Sequence, residues 1–294
     1  MASASSSHKR EKFSSKSARV LNSAMSFAIA YILIMFMFAI ATALMGKLFG
    51  FDSYISLTGV KFEIGRHKYD AWNVFLIWSF GTFTTALIGI FCSYIFYQLR
   101  EKLYLGNMVF LWGAVISYSI IAAQGILPCI QPGDYYSPYY SNLSVVFAWL
   151  SVPIPLLYII SLAFIAFLVF FSIYTSKPFL SFSYSFSKVN KTDRKRKYFF
   201  ETVFVPYIAA AFILLSYFHI TYQSMSFFYV NLVYILCIGL SIIVSFLVIN
   251  INDMKVEEVL RYKNLQKLSP ALFIVFMVIL LFFVVIKQGF YLPF

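Results

Sequence analysis

The stretch AWNVFLIWSFGTFTTALIGIFCSYIFYQLR, residues 71–100, decides the fold. It carries no charge before Arg100 and is long enough, as a helix, to cross the roughly 30 Å hydrocarbon core of a bilayer. Within it Gly81, Thr85, Gly89 and Ser93 recur every four residues. On a helix that spacing stacks small side chains along one face and lets a second backbone approach closely. The stretch therefore predicts a membrane-spanning helix with a packing seam.

Composition extends this to the whole chain. Of 294 residues 61% are hydrophobic, 21% aromatic and only 12% charged, against roughly 25% charged in a typical soluble domain. Lys and Arg number 23 and Asp and Glu 11, a net charge of +12. In a soluble protein that excess raises the question of nucleic acid. Here it is better explained by retention of basic loops on the cytoplasmic side during insertion, so nucleic acid is not expected as a partner. Cys92, Cys129 and Cys237 are too few and too scattered for a disulfide framework or a zinc site.

Outward from residues 71–100, apolar runs give seven expected spans, at about 20–46, 71–99, 103–127, 154–174, 199–218, 227–251 and 269–286. Residues 1–20 are Ser-rich and basic and predict a disordered cytoplasmic arm, so residues 21–294 form a single transmembrane domain. A signal peptide is the competing reading of the first run, but its apolar region is longer than the roughly 7 to 15 residues such a segment has. Residues 55–64 alternate with period two around Gly59, which predicts a small outer β-hairpin. The Arg100-Glu101-Lys102 turn makes the second and third spans antiparallel neighbours. That supplies the seam with an intramolecular partner, through Gly113 and Ser117. Pro153 and Pro155 divide the apolar stretch that starts at Asn142, giving either a short interfacial or re-entrant piece, or a kink, before the fourth span. Residues 254–261 read as an amphipathic surface helix.

Assigning the N-terminus to the inside puts 18 of the 23 basic residues on the inner segments and 5 on the outer ones. That distribution predicts a cytoplasmic N-terminus and an external C-terminus. A bacterial inner membrane is preferred to a eukaryotic one. The strongest inner signal holds Lys188, Lys191, Arg194, Lys195, Arg196 and Lys197. These are candidate contacts for anionic lipid headgroups, although an orientation signal accounts for them equally.

No Lys or Arg falls within an expected span, and Glu201, at the cytoplasmic start of the fifth, is the only acid there. Among the polar neutral residues Gln124 and Asn231 are the best candidates for contacts inside the membrane, by helix-to-helix hydrogen bonding before substrate binding. His8, His67 and His219 offer no metal-binding spacing. An outer cluster of Glu63, Arg66, His67, Lys68 and Asp70 reads as a solvated hairpin rim, and Asn142-Leu143-Ser144 is a glycosylation sequon if the outer side is a glycosylating compartment.

The segment from Ile34 to Gly46, followed by the hairpin and the second span, resembles the start of site-2-protease-type membrane metallopeptidases. In that family a His-Glu-x-x-His helix runs through small residues to a Gly, then to a hairpin, then to a helix with a Gly-Pro-x-x-Asn-like element. Here Ile34, Met35 and Phe38 stand where His, Glu and His are needed. Gly81-Thr82-Phe83-Thr84-Thr85 is similar to the later element, with Thr82 and Thr85 in place of Pro and Asn. The resemblance implies a non-catalytic relative, without metal ligands or peptidase activity. The sequence thus predicts an all-α polytopic membrane protein with no catalytic residues, cofactor or metal. Its expected role is that of a scaffold or subunit beside another membrane protein, with a transporter or lipid-handling permease as the alternative.

Overall fold

The computed structural model describes residues 2–56, 59–62, 70–99, 106–130, 142–183, 189, 191–221, 225–251, 267–285 and 290–292, with side chains over 16–55, 59–62, 70–99, 106–130, 142–183, 189, 191–219, 228–249 and 267–282. Helix α1 runs Ala2–Leu48. The hairpin β1 Ser53–Ser56 and β2 Gly59–Phe62 follows, then α2 Ala71–Leu99, α3 Gly106–Ile130, α4 Asn142–Trp149 and α5 Ile154–Ser181. Next come α6 Thr192–Phe199, a π-helical turn Phe200–Phe204, α7 Val205–Thr221, α8 Met225–Ile251, α9 Pro270–Val285 and β3 Phe290–Leu292. This is an all-α polytopic membrane protein with a small sheet.

Among the described residues six helices are long and apolar enough to cross a bilayer: Lys16–Leu48, Ala71–Leu99, Gly106–Ile130, Ile154–Ser181, Thr192–His219 and Phe228–Ile249. The seventh expected crossing is the shorter α9. Its two ends are anchored at opposite ends of α1. At one end the Asn22 amide donates to the Lys267 carbonyl and accepts from the Ser269 N–H. At the other, β3 pairs with β1, which packs on α1 through Ile55 against Ala39 and Ala43. Asn22 and Ala39 to Ala43 are separated by about 26 to 32 Å of helix, so the ends of the α9 segment lie that far apart along α1, although α9 itself is 16 residues. Leu272 against Met25 and Ile29, and Phe282 edge-on to Phe36, fix the two helices as parallel.

Helix α3 is the hub, buried along most of its length between α1, α2, α5 and α8. Trp112, Phe27, Tyr31, Phe179, Phe199 and Phe218 fill the layer around it. Because lipid tails are as apolar as these rings, close packing and hydrogen bonds hold the helices together, rather than the exclusion of water.

Several boundaries differ from expectation. The basic arm is helical from Ala2, continuous with the first span, because extending an existing helix adds a bond per residue without a new nucleation step. The fourth and fifth spans run past their apolar stretches, to Ser181 and back to Thr192. The sheet has three strands in the order β2-β1-β3, because the C-terminal strand joins the hairpin. Gly59 opens β2 opposite Ser56 instead of interrupting a strand. The Arg100 to Lys102 turn, residues 254–261 and the outer cluster Glu63 to Lys68 lie outside the described residues. Asp70, the last member of that cluster, caps α2 reciprocally: its carboxylate accepts from the Asn73 N–H at 2.7 Å and its N–H donates to the Asn73 side chain at 3.0 Å.

Candidate functional site

The seam on α2 is buried at Gly81, Thr85 and Gly89, and it divides between two neighbours. A Cβ on Gly81 would collide with Thr42 of α1, whereas a Cβ on Gly89 would lie 3.0 Å from Ser117 and Tyr118 of α3. Ser93 and Tyr118 share a hydrogen bond of 3.1 Å, and a Cβ on Gly113 would come within 2.8 Å of the Cys92 sulfur. The small residues thus let α2 sit against α1 at one end and α3 at the other. Thr85 returns its hydroxyl to the Gly81 carbonyl, which satisfies that donor within α2. Ser117 is fully buried in the contact.

Gln124 and Asn231 are both fully buried and both hydrogen-bonded between helices. Tyr31 of α1 donates to the Asn231 carbonyl oxygen at 2.8 Å. The Gln124 amide donates to Tyr234 of α8, and its oxygen accepts the Leu143 N–H of α4 at 3.2 Å. Asn231 and Tyr234 stand three residues apart on α8, so one helix face serves both bonds. Further along the same helix Ser241 receives the Ser172 hydroxyl, and Ser245 donates to the Ser172 carbonyl at 2.7 Å. These bonds stitch α1, α3, α4, α5 and α8 into one network.

Helix α4 is a separate short helix ahead of the proline break. Its first residue, Asn142, donates to Thr42 at 3.1 Å and lies beside Gly81, ten residues or about 15 Å along α2 from its start. Leu143 meets Gln124 at the same depth. The helix closes at Ser151, whose φ of 51° is left-handed. The Ser151 N–H bonds Ala148 and the Val152 N–H bonds Phe147, a Schellman closure that satisfies the last carbonyls. Pro153 then caps α5 with φ −66° and ψ 144°, and Pro155 fits its first turn. The amide of the Asn142 sequon is half-buried and engaged with Thr42 of α1.

At the opposite end of the bundle Glu201, the acid at the start of the fifth apolar stretch, is paired. Glu201 binds Lys16 at 2.7 Å and Arg19 at 3.3 Å. The Arg19 guanidinium also lies 5.6 Å from the centroid of the Tyr198 ring. Beside it Ser23 donates to the Thr202 carbonyl at 2.6 Å and accepts from the Trp112 indole. The π-helical turn thus presents Glu201 and Thr202 to α1 together. An acid and two bases at one boundary of different spans was the signal available in the sequence for this cluster. The tyrosine partners Tyr31 and Tyr234 had none, being two among 22 tyrosines.

Of the basic candidates, Lys188 lies outside the described residues, Lys195 is buried and Lys191, Arg194 and Lys197 are exposed. Arg196 pairs with Asp193 at 3.7 Å. Among described side chains this end carries Lys16, Arg19, Lys177, Lys191, Arg194, Lys195, Arg196, Lys197 and Lys267 against Asp193 and Glu201. The sheet end carries Lys47 and Lys61 against Asp52 and Asp70.

Ile34, Met35 and Phe38 are buried in α1, with the Phe38 ring beside Gly81. Comparison with family models, curated proteins and solved structures returns no match.

Proposed function

We propose that this chain is a non-enzymatic membrane scaffold, a subunit that partners another membrane protein, with its basic end in the cytoplasm and its sheet outside. The supporting observation is the disposition of its intramembrane polar groups. Gln124, Asn231, Tyr31, Tyr234, Asn142 and Ser172 each bond to another helix of the same chain, which gives cohesion to the bundle. Long apolar faces on α2, α5 and α9 point outward, with Phe83, Phe91, Leu162, Phe170 and Leu281 all more than half exposed. Such faces suit lipid and a partner helix alike. The charge contrast between the ends supports the orientation, because basic residues are retained on the cytoplasmic side. A bacterial inner membrane is the preferred location.

Mild-detergent extraction of the chain from its native membrane, after cross-linking in place, tests the scaffold role. The expected result is a second membrane protein in fixed stoichiometry. A monodisperse monomer with no cross-linked neighbour contradicts it.

A permease is the second reading, favoured by α4, since half-helices entering a bundle line substrate paths in transporters. Labelling of Asn142→Cys by a small water-soluble thiol reagent would support it. Protection of that position in native membranes would favour the scaffold. The site-2-protease-type resemblance belongs to this proposal on sequence grounds alone, as a non-catalytic relationship, and it carries no ligand over because Ile34, Met35 and Phe38 cannot bind zinc.

A further inference from the structure

We propose that the basic end of the bundle binds anionic phospholipid headgroups, through Lys177, Lys191, Lys197 and Lys267. This goes beyond the scaffold role and does not depend on it. Residues Thr192–His219 form one apolar-rich span of 28 residues, about 42 Å of helix against a hydrocarbon core of about 30 Å. The surplus of about 12 Å is two turns, the length of α6. With His219 at the far boundary, α6 stands in the headgroup layer, and the exposed Phe200 ring marks where hydrocarbon begins.

The cations at this level divide sharply. Lys16 and Arg19 are held by Glu201, and Lys195 is buried. Lys177 at the end of α5, Lys191 and Lys197 on α6, and Lys267 before α9 are exposed, and among the described residues none of the four forms an ion pair. Each is a compact charge on a flexible stem that can reach a phosphate. They are spread over three helix ends instead of forming one ridge. A lipid leaflet surrounds the bundle at that depth, whereas an acidic protein would need one continuous face. Retention during insertion requires positive charge only. It does not require that the folded protein leave these ammonium groups exposed without counter-ions.

The test uses the purified full-length protein in micelles holding equal amounts of phosphatidylglycerol and phosphatidylcholine, with retained lipids counted by native mass spectrometry. The wild type should retain phosphatidylglycerol preferentially, each lysine contributing up to about five-fold. Lys191→Gln with Lys197→Gln should cut that preference, and adding Lys177→Gln and Lys267→Gln should bring retention close to parity. Lys47→Gln with Lys61→Gln, at the sheet end, should leave it unchanged. Equal retention by the wild type, or a preference untouched in the four-lysine variant, overturns the proposal. So does shielding of these lysines from an amine-reactive label by an acidic protein without phosphatidylglycerol enrichment. Circular dichroism of the double variant separates lost binding from lost folding: native helicity with an unchanged lipid preference counts against the site.

Discussion

Gln124 shows what one residue does in this bundle. Its amide joins α3 to α8 and to the half-buried start of α4, so Gln124→Leu leaves Tyr234 and the Leu143 N–H without it. The cost expected is about 1–2 kcal/mol, read as a lower melting temperature in mild detergent with helicity retained at room temperature. Gly89→Leu acts through volume. A Cβ there already meets Ser117 and Tyr118 at 3.0 Å, so a leucine must part α2 from α3 and should cost about 1–3 kcal/mol or more. An unchanged melting temperature would place the seam against lipid. Both residues were legible in the sequence, since an amide in an apolar run needs a partner and small residues four apart need a neighbouring backbone. Their partners were not, because Tyr234 and Tyr31 look like any other ring in a tyrosine-rich chain.

At the level of elements, apolar runs locate the crossings but not the helix ends, because α5, α6 and α1 continue as helix into charged and Ser-rich sequence. The Pro153-Ile154-Pro155 break divides the chain correctly, yet period and hydropathy do not distinguish a kink from a re-entrant piece. What precedes the break is the separate helix α4, held to α1 by Asn142 at Thr42, a contact 100 residues apart. Two helices close by the same Schellman geometry, α1 at Gly50 with φ 76° and α4 at Ser151 with φ 51°. The left-handed conformation suits glycine, whereas a serine there is strained. Ser151→Gly should therefore stabilise the protein by about 0.5–1 kcal/mol, the relief of strain being partly offset by a more flexible unfolded chain. Gly50→Ser should destabilise it by a similar amount. Denaturant titrations of the two variants check both signs.

The molecule as a whole is a bundle with one charged end and one sheet-capped end, and Glu201 ties the charged end together. Arg19 and Glu201 have side chains 11% and 14% exposed, so removing either leaves a largely buried charge, while Lys16, at 49%, is screened. Glu201→Ala should cost about 3 kcal/mol, and Lys16→Ala less than about 1 kcal/mol. The double variant with Arg19→Ala should be less destabilised than the two singles together, which a double-mutant cycle measures. The sequence held the charge asymmetry openly, but not the joining of the C-terminus to the hairpin, since a three-residue strand such as Phe290–Leu292 has no signal of its own. That joining sets the two ends of α9 against opposite ends of α1, from which we expect a seventh crossing parallel to α1. Labelling of single cysteines with a membrane-impermeant maleimide tests it most directly, using Lys267→Cys and Tyr291→Cys in a background lacking Cys92, Cys129 and Cys237. The seven-crossing bundle predicts that the two positions react from opposite faces of the membrane; reaction of both from the same face would contradict it.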